Sequence, residues 1–462
     1  MPDPQILTAE QMRGAEQRLF DAGMPVFDLM LKAAGGAAEW IRRIAAGRAV
    51  TVLCGPGNNG GDGYVIAARL REAGNRVEVI APVEPKTDAA REARALWDGP
   101  VRTSGGRVEG DVFVDCLFGS GLSRPLSGEH VLLLRDLSSR HHLSIAIDVP
   151  SGIESDTGAL LNEKIPDFDV TLALGAWKFA HCLLPGRAKM GRQRLVPIGV
   201  EAVEDAAQRI GRPSLSAPTL DSHKYRRGLA MVVGGEMPGA AKLSALAAMR
   251  AGAGYVKLAS QIVTDAPPDL VVDRSDVAGA LGDDRINAVL VGPGLGRSGD
   301  ARAKIATTLR SGRSTVIDAD ALHLLEAGML QDGQRVLATP HDGELDALCR
   351  SFSVIAEGRL DRAKALAAAS KMVICAKGPD TIVAAPDGRI AIAPPAPSWL
   401  AVAGSGDVLA GIAVSRMASG CDAFEAACDA VWLHGEAARI CGPMLTPLDL
   451  VSSLPMAVAK CL

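Results

Sequence analysis

The chain has 462 residues, which at about 150 residues per domain points to two or three domains. With 48% apolar and 22% charged residues it is not a disordered polymer. A net charge of −4 and an aromatic fraction of 3% argue against nucleic acid or an anionic membrane surface as partner. Nine cysteines with no Cys-x-x-Cys pair read as buried thiols in a reducing compartment. The start Met1–Pro4 lacks a basic segment followed by an apolar one, and no run of about 18 apolar residues occurs, so neither a secretory signal nor a transmembrane helix is expected. The expected class is soluble, cytoplasmic and multidomain.

Residues 1–47 carry apolar positions at helical spacing, among them Met12, Ala15, Leu19, Met30 and Leu31. From Ala49 onward short apolar runs alternate with helical patterns. Strands are expected at 49–54, 76–81, 111–118 and 144–149, with two further candidates at 170–174 and 193–198. Helices are expected at 64–73, 87–97 and 131–138. The pattern breaks near 201–222, where Gly211–Pro218 is rich in Pro, Ser and Gly and reads as a linker. A second alternation has strands at 229–233, 255–258, 288–291, 315–318, 336–338 and 372–376, then a hairpin at 382–393 turning on Pro386-Asp387-Gly388. Two long helices, 407–419 and 423–441, are expected to close the chain. The expectation is two α/β domains, 1–210 and 211–462, each a largely parallel sheet with helices on both faces.

The first expected strand ends in Gly55-Pro56-Gly57-Asn58-Asn59-Gly60-Gly61-Asp62-Gly63. Gly55, Gly57 and Gly60 satisfy the dinucleotide-binding G-x-G-x-x-G, and Glu84 stands where an acid could bind ribose. The same glycines would also suit a plain strand–helix packing turn. A phosphate loop fits less well, because Gly61-Asp62 stands where Lys and Ser/Thr belong. The polar side chains of Asn58, Asn59 and Asp62 exceed what packing requires. Two more expected strands end in polar, glycine-flanked segments, Asp115–Gly121 and Asp148–Gly152. Ligands in open α/β sheets bind at the carboxyl ends of strands, so these three segments would share one crevice. Oxygen donors on Asn59, Asp115 and Ser151 would suit a hard cation rather than zinc.

Asn58–Gly63, Asp148–Gly152 and Leu184-Pro185-Gly186-Arg187 together resemble the NAD(P)H-hydrate epimerase family over about residues 8–200. That resemblance implies a Rossmann-like three-layer domain. It implies a substrate segment at Asn58, Asn59, Gly60, Gly61 and Asp62, and a second at Gly119, Ser120, Gly121, Leu122, Ser123, Arg124 and Pro125. It also implies a substrate contact or proton carrier at Asp148, and a potassium ion held by Asn59, Asp115 and Ser151. Lys32 and Ala33 stand where the family usually has an acid and an amide.

The second half carries Ala403-Gly404-Ser405-Gly406-Asp407, glycines opening a helix with an aspartate in its first turn. Unpaired N–H groups at such a helix start attract an anion. An aspartate beside it suits proton removal from a hydroxyl during phosphoryl transfer. Lys377-Gly378-Pro379-Asp380-Thr381 follows a strand and could cradle a nucleotide phosphate. Glycine turns at Gly292–Gly296, titratable groups at Thr339–Glu344, and Pro238–Ala241 end or open further elements.

These segments resemble the ADP/ATP-dependent NAD(P)H-hydrate dehydratases, relatives of ribokinase-like small-molecule kinases, over about residues 222–460. The resemblance implies nucleotide binding by Lys377, Gly378, Pro379, Asp380, Thr381 and Gly406. It implies substrate contacts at Ala240, Gly294, His341 and Asp407, with Asp407 as base. The family's Asn-Pro-Gly-Met is replaced by Pro397-Ser398-Trp399-Leu400. Together the two resemblances imply repair of hydrated NADH and NADPH (NADHX and NADPHX) by an epimerase followed by a dehydratase. Magnesium and ADP are the implied co-substrates, with ATP open as donor and homo-oligomerisation open. The alternative is a ribokinase-like kinase beside an inactive first domain.

Overall fold

The computed structural model describes residues 5–106, 108, 110–263 and 265–462. The chain divides into two compact units, one ending at Ala207 and the other starting at Gln208.

In the first unit the apolar runs become a seven-stranded sheet. Its order is Val101–Arg102, Val77–Ile80, Val50–Cys54, Val112–Cys116, Leu143–Ile147, Val170–Leu174, Arg192–Val196, and every pairing is parallel. Residues on a strand alternate between faces, so each run feeds two cores. Val50, Val52 and Cys54 pack with Ile41 and Ile66 from the helices Val26–Ala45 and Asn58–Glu72. Leu53, Phe113 and Leu117 pack on the other face with Leu134 and Leu137 of the helix Gly128–Arg140. After Val50–Cys54 the chain runs outward to Val101–Arg102 and then returns beside it at Val112–Cys116. That reversal opens a crevice at the carboxyl ends of these two strands.

The second unit orders its sheet as Val271–Asp273, Tyr255–Ala259, Leu229–Val233, Ile286–Val291, Ser314–Ile317, Val336–Ala338, Val373–Ala376, Ile382–Ala384, Ile390–Ile392. Pairing is parallel as far as Val373–Ala376 and antiparallel through the expected hairpin, whose turn has Gly388 at φ 96°. Here the reversal lies between Leu229–Val233 and Ile286–Val291. The helices Pro238–Arg250 and Ser405–Ala418 cross closely: a Cβ on Gly411 would stand 2.3 Å from the Ser244 carbonyl oxygen. The α/β class expected for both halves is what the fold shows.

Three local expectations differ from the structure. The helix expected from Tyr64 starts at Asn58, because Gly57 serves as N-cap and packing overrides the poor helix propensity of Asn and Gly. A third terminal helix, Pro447–Ala459, follows the two expected. Thr446 and Asp449 form its capping box, but Pro455 inside it hides the helical pattern. The segment read as a linker lies within the second unit, where the Leu215 N–H bonds the Cys461 carbonyl at 2.9 Å. All nine cysteines are free thiols and six are buried. No helix among the described residues is long and apolar enough to cross a membrane.

Candidate functional site

In the first unit, close backbone approach builds the crevice. A Cβ on Gly55 would stand 1.7 Å from the Leu117 carbonyl oxygen, and one on Gly60 would stand 1.8 Å from the Gly55 carbonyl oxygen. Only glycine lets the two strand ends and the helix start meet this closely. Asn58 begins the helix and accepts from the Thr87 hydroxyl at 2.7 Å. The first intrahelical backbone bond runs from Gly61 N–H to the Gly57 carbonyl, so the preceding amides form an open helix N-terminus. One residue on, the Asn59 amide is buried, and among the described residues neither its oxygen nor its nitrogen has a hydrogen-bond partner. Asn59 Oδ1 and Asp148 Oδ2 lie 3.2 and 3.1 Å from the point where a Gly119 side chain would begin.

Asp148 closes the strand Leu143–Ile147 in the left-handed region, φ 63°. Its Oδ2 accepts the Ser120 N–H at 3.0 Å, and its Oδ1 accepts from the Lys178 ammonium at 2.6 Å. Burial alone would raise this carboxyl, but Lys178 outweighs it and holds the pKa at about 2. Asp62 is 8% exposed, and burial followed by the Asp148 charge pushes its carboxyl well above the ordinary range. Asp115 and Ser151 are tied together: the Ser151 hydroxyl stands 2.8 Å from Asp115 Oδ1, and the Ser151 N–H bonds Oδ2 at 2.9 Å. Burial raises Asp115 to about 6 despite these bonds. In the expected second segment Leu122 turns into the core, while Gly121, Ser123, Arg124 and Pro125 are exposed.

In the second unit the helix Ser405–Ala418 begins after Gly404, φ 89°. The Ser405 N–H bonds the Val402 carbonyl at 3.2 Å, and the Val408 N–H bonds the Gly404 carbonyl. The Gly406 and Asp407 amides lie between them at the open helix start. Lys377 Nζ lies 3.5 Å from where a Gly406 side chain would begin, so an ammonium and a helix N-terminus share one spot. Asp318, 1% exposed, binds that ammonium at 2.6 Å and accepts the Thr339 hydroxyl at 2.8 Å. Glu344 stands 3.9 Å from the same ammonium. Burial, and then the Asp318 charge, raise Asp407 to about 6. The Gly294 carbonyl accepts the Met237 N–H at 2.9 Å, and a Cβ on Gly294 would stand 3.1 Å from the Ala240 methyl.

Two family models match the chain. One, for the YjeF-related protein N-terminus, covers residues 26–180, and one for NAD(P)H-hydrate dehydratase covers 230–444. The bifunctional NAD(P)H-hydrate repair enzyme Nnr of Thermosynechococcus vestitus is 34% identical over 94% of this chain and 92% of its own length. The chain belongs to the bifunctional NAD(P)H-hydrate repair enzyme family. The Salinibacter ruber relative is 33% identical over 99% of this chain and 96% of its own length. Among solved structures, the ADP/ATP-dependent NAD(P)H-hydrate dehydratase of Bacillus subtilis, co-crystallised with ATP/Mg2+, is 27% identical. It covers 54% of this chain and 95% of its own, with a TM-score of 0.48.

In this repair-family chain the expected residues converge unequally. Lys377, Gly406 and Asp407 meet, as do Ala240 and Gly294, and Asn59, Gly119, Ser120 and Asp148. His341 is used as a cap: its Nδ1 accepts the Glu344 N–H, and its side chain is 59% exposed against 6% for Glu344. Asp380 pairs with Arg359, and the Thr381 hydroxyl bonds the Gly378 carbonyl at 2.8 Å, so both side chains brace the turn. Gly378 and Pro379 are exposed. Sequence reasoning missed Lys178, Asp318, Arg359 and the buried His434, whose Nε2 lies 3.4 Å from the Ser405 hydroxyl, and in the titratable segment Thr339–Glu344 it singled out His341 rather than Glu344. Asp318 had a signal, an aspartate closing an apolar strand as Asp115 and Asp148 do. For Lys178, Arg359 and His434 there was none.

Proposed function

We propose that the chain restores NADH and NADPH from their hydrates. The first unit interconverts the R and S epimers, and the second dehydrates the S form. The observation that carries this reading is that one family, named as bifunctional hydrate repair enzymes, spans nearly the whole chain at 34% identity. The crevices of both units support it.

In the second unit Asp407 takes the proton of the substrate hydroxyl as its oxygen attacks the terminal phosphoryl group of ADP. The AMP–phosphoryl bond breaks. Hydroxide is a poor leaving group and phosphate a good one, so loss of phosphate with a ring proton restores the double bond. The balance is ADP to AMP and phosphate. A carboxyl near 6 is ionised at neutral pH yet basic enough to accept a proton. The Gly406 and Asp407 amides and Lys377 face the negative charge that builds on the phosphoryl oxygens. Magnesium is usually held by one or two carboxylates together with phosphate oxygens. Glu344 and Asp318, buried beside Lys377, are carboxylates of that kind. When bound, the ion would neutralise phosphate charge.

Potassium fits the first unit by donor chemistry. The orphaned Asn59 oxygen, the Asp115 carboxyl raised to about 6 and the Ser151 hydroxyl form an all-oxygen set. Asn58–Asp62 and Gly119–Pro125 line the substrate crevice in this reading. Ala240, Gly294 and His341 line that of the second unit, and Lys377–Thr381 carries the nucleotide. Residues 1–210 and 211–462 are taken as the two functional domains, acting in the cytoplasm.

The test is to add purified protein to mixed epimers of hydrated NADH with Mg2+, K+ and ADP, and to follow NADH by its near-ultraviolet absorbance. Complete, ADP-dependent recovery is expected. Recovery that stops when the S form is spent would remove the epimerase step. A stable phosphorylated product would move the second unit to an ordinary kinase. Repeating the assay with ATP compares the donors.

A further inference from the structure

The first unit holds several ionisable groups in one crevice, and they are not equivalent. Lys178 is 1% exposed, one of the least accessible side chains of the molecule. Its ammonium donates to Asp148 Oδ1 and to the Leu174 carbonyl, each at 2.6 Å. The Lys178 N–H donates to His181 Nδ1 at 2.9 Å, which leaves the His181 proton on Nε2, 2.8 Å from the Asp148 carbonyl oxygen. The segment Trp177–His181 therefore grips both the carboxylate and the backbone of Asp148. Asp62 is different. It sits three residues after Asn59, on the same face of the helix Asn58–Glu72, buried at the same strand ends, and no cation is bonded to it among the described residues. The groups facing Asp62 are the Asp148 carboxylate, the Glu16 carboxyl and the Lys178 ammonium, with the Cys116 thiol nearby. Arg13 faces Glu16, and His181 faces Asp148.

We infer that the first unit divides its acid–base work between two buried carboxyls: Lys178 is a positioning residue that fixes Asp148 as a permanent carboxylate, and Asp62 carries the proton of epimerisation. The inference rests on the epimerase reading of this unit. An aspartate clamped at 2.6 Å by a buried ammonium has no proton to give near neutral pH. A buried carboxyl without a cation keeps its proton. Two carboxyls whose surroundings push them apart are the usual basis of an acid and base assignment. In the step itself the Asp62 proton moves to the substrate hydroxyl and the carbon–oxygen bond breaks with its electron pair, releasing water. The lone pair of the ring nitrogen then forms the carbon–nitrogen double bond. The resulting positive charge faces Asp148. Addition of water to the opposite face returns the proton to Asp62 and completes the inversion.

The test uses the full chain, with the ADP-dependent dehydration of the S epimer as the control for folding. Asp62→Asn should lower the epimerisation kcat by about 10²–10⁴-fold with little change in KM. Lys178→Met should move the acid limb of epimerisation upward by about three pH units, with activity recovering toward neutral pH, and Lys178→Arg should restore much of the original profile. Wild-type kcat in Asp62→Asn, or an unmoved acid limb in Lys178→Met, would overturn the assignment. Carbon-13 NMR of labelled aspartate follows Asp148 without any turnover. Its carboxyl should stay ionised from about pH 4 to 8 in the wild type and titrate within that range in Lys178→Met. This readout tests the clamp even if the wild-type chain interconverts no epimers, an outcome that would overturn the epimerase reading instead.

Discussion

Lys377 Nζ lies 2.6 Å from Asp318 Oδ1, and the same ammonium stands beside Gly406 at the start of the helix Ser405–Ala418. A buried carboxylate thus aims a cation at a helix N-terminus. Burial alone would lower the pKa of Lys377, but the charges of Asp318 and then Glu344 outweigh it and hold the ammonium above its ordinary value.

Removing that ammonium separates binding from stability. Lys377→Met should raise the KM for ADP by about 30–100-fold, the value of a hydrogen bond to a charged group. It should also destabilise the second unit by about 3–5 kcal/mol, because Asp318 is left buried and unpaired. Lys377→Met with Asp318→Asn should recover most of that stability but not the ADP affinity, measured by thermal unfolding and calorimetric titration.

Asp407, raised to about 6 by burial and the nearby Asp318, must be ionised to accept a proton. Dehydration should therefore be half-maximal near pH 6 and rise toward neutral pH, read as kcat/KM against pH. Asp407→Asn should lower turnover by about 10²–10⁴-fold while epimerisation continues. Dehydration that stays constant from about pH 5 to 7 would remove Asp407 as the base.

Arg359 spans two segments. Its Nε and Nη2 bond the two oxygens of Asp342 at 2.8 and 2.7 Å, while Nη1 bonds Asp380. This fork joins the turn after Lys377 to the helix that carries Glu344. Arg359→Ala should raise the KM for ADP about tenfold with a smaller change in kcat, and Arg359→Lys should not restore it, because lysine cannot form the fork. Steady-state kinetics with ADP varied would check this.

The unpartnered amide of Asn59 gives the potassium reading a test that needs no substrate. Potassium that binds only the folded chain should raise the melting temperature of the first unit in a concentration-dependent way. Asn59→Leu should remove that dependence. It should also raise stability in potassium-free buffer, since leaving a buried polar group unsatisfied costs about 1–3 kcal/mol. An equal response of both proteins to potassium would place the ion elsewhere.

Much of this architecture was legible in the sequence because buried parallel strands are written as short apolar runs. The strands at 229–233 and 336–338 and the helix at 423–441 have the expected bounds. Polar residues at strand ends were legible for the same reason, since an aspartate closing an apolar run stands out. The rest depended on contacts between distant segments. Lys178 lies 30 residues from the carboxylate it clamps, and Lys377 lies 59 from Asp318. In sequence each is an ordinary lysine. In Thr339–Glu344 the residue types alone favour the histidine, yet Glu344 is the buried member, and only the fold of the capping box shows which way each side chain turns.

The left-handed backbone of Asp148 narrows what can replace it. Among L residues, Asn and Asp adopt such a conformation most readily, and β-branched side chains resist it. Asparagine at this position would keep the shape of the strand end and lose only the charge, leaving the Lys178 ammonium buried without its counter-ion. A β-branched residue would disturb the backbone first and the electrostatics second. Shape and charge are thus separable at a single side chain, and Asp148→Asn compared with Asp148→Val tells which of the two the crevice depends on.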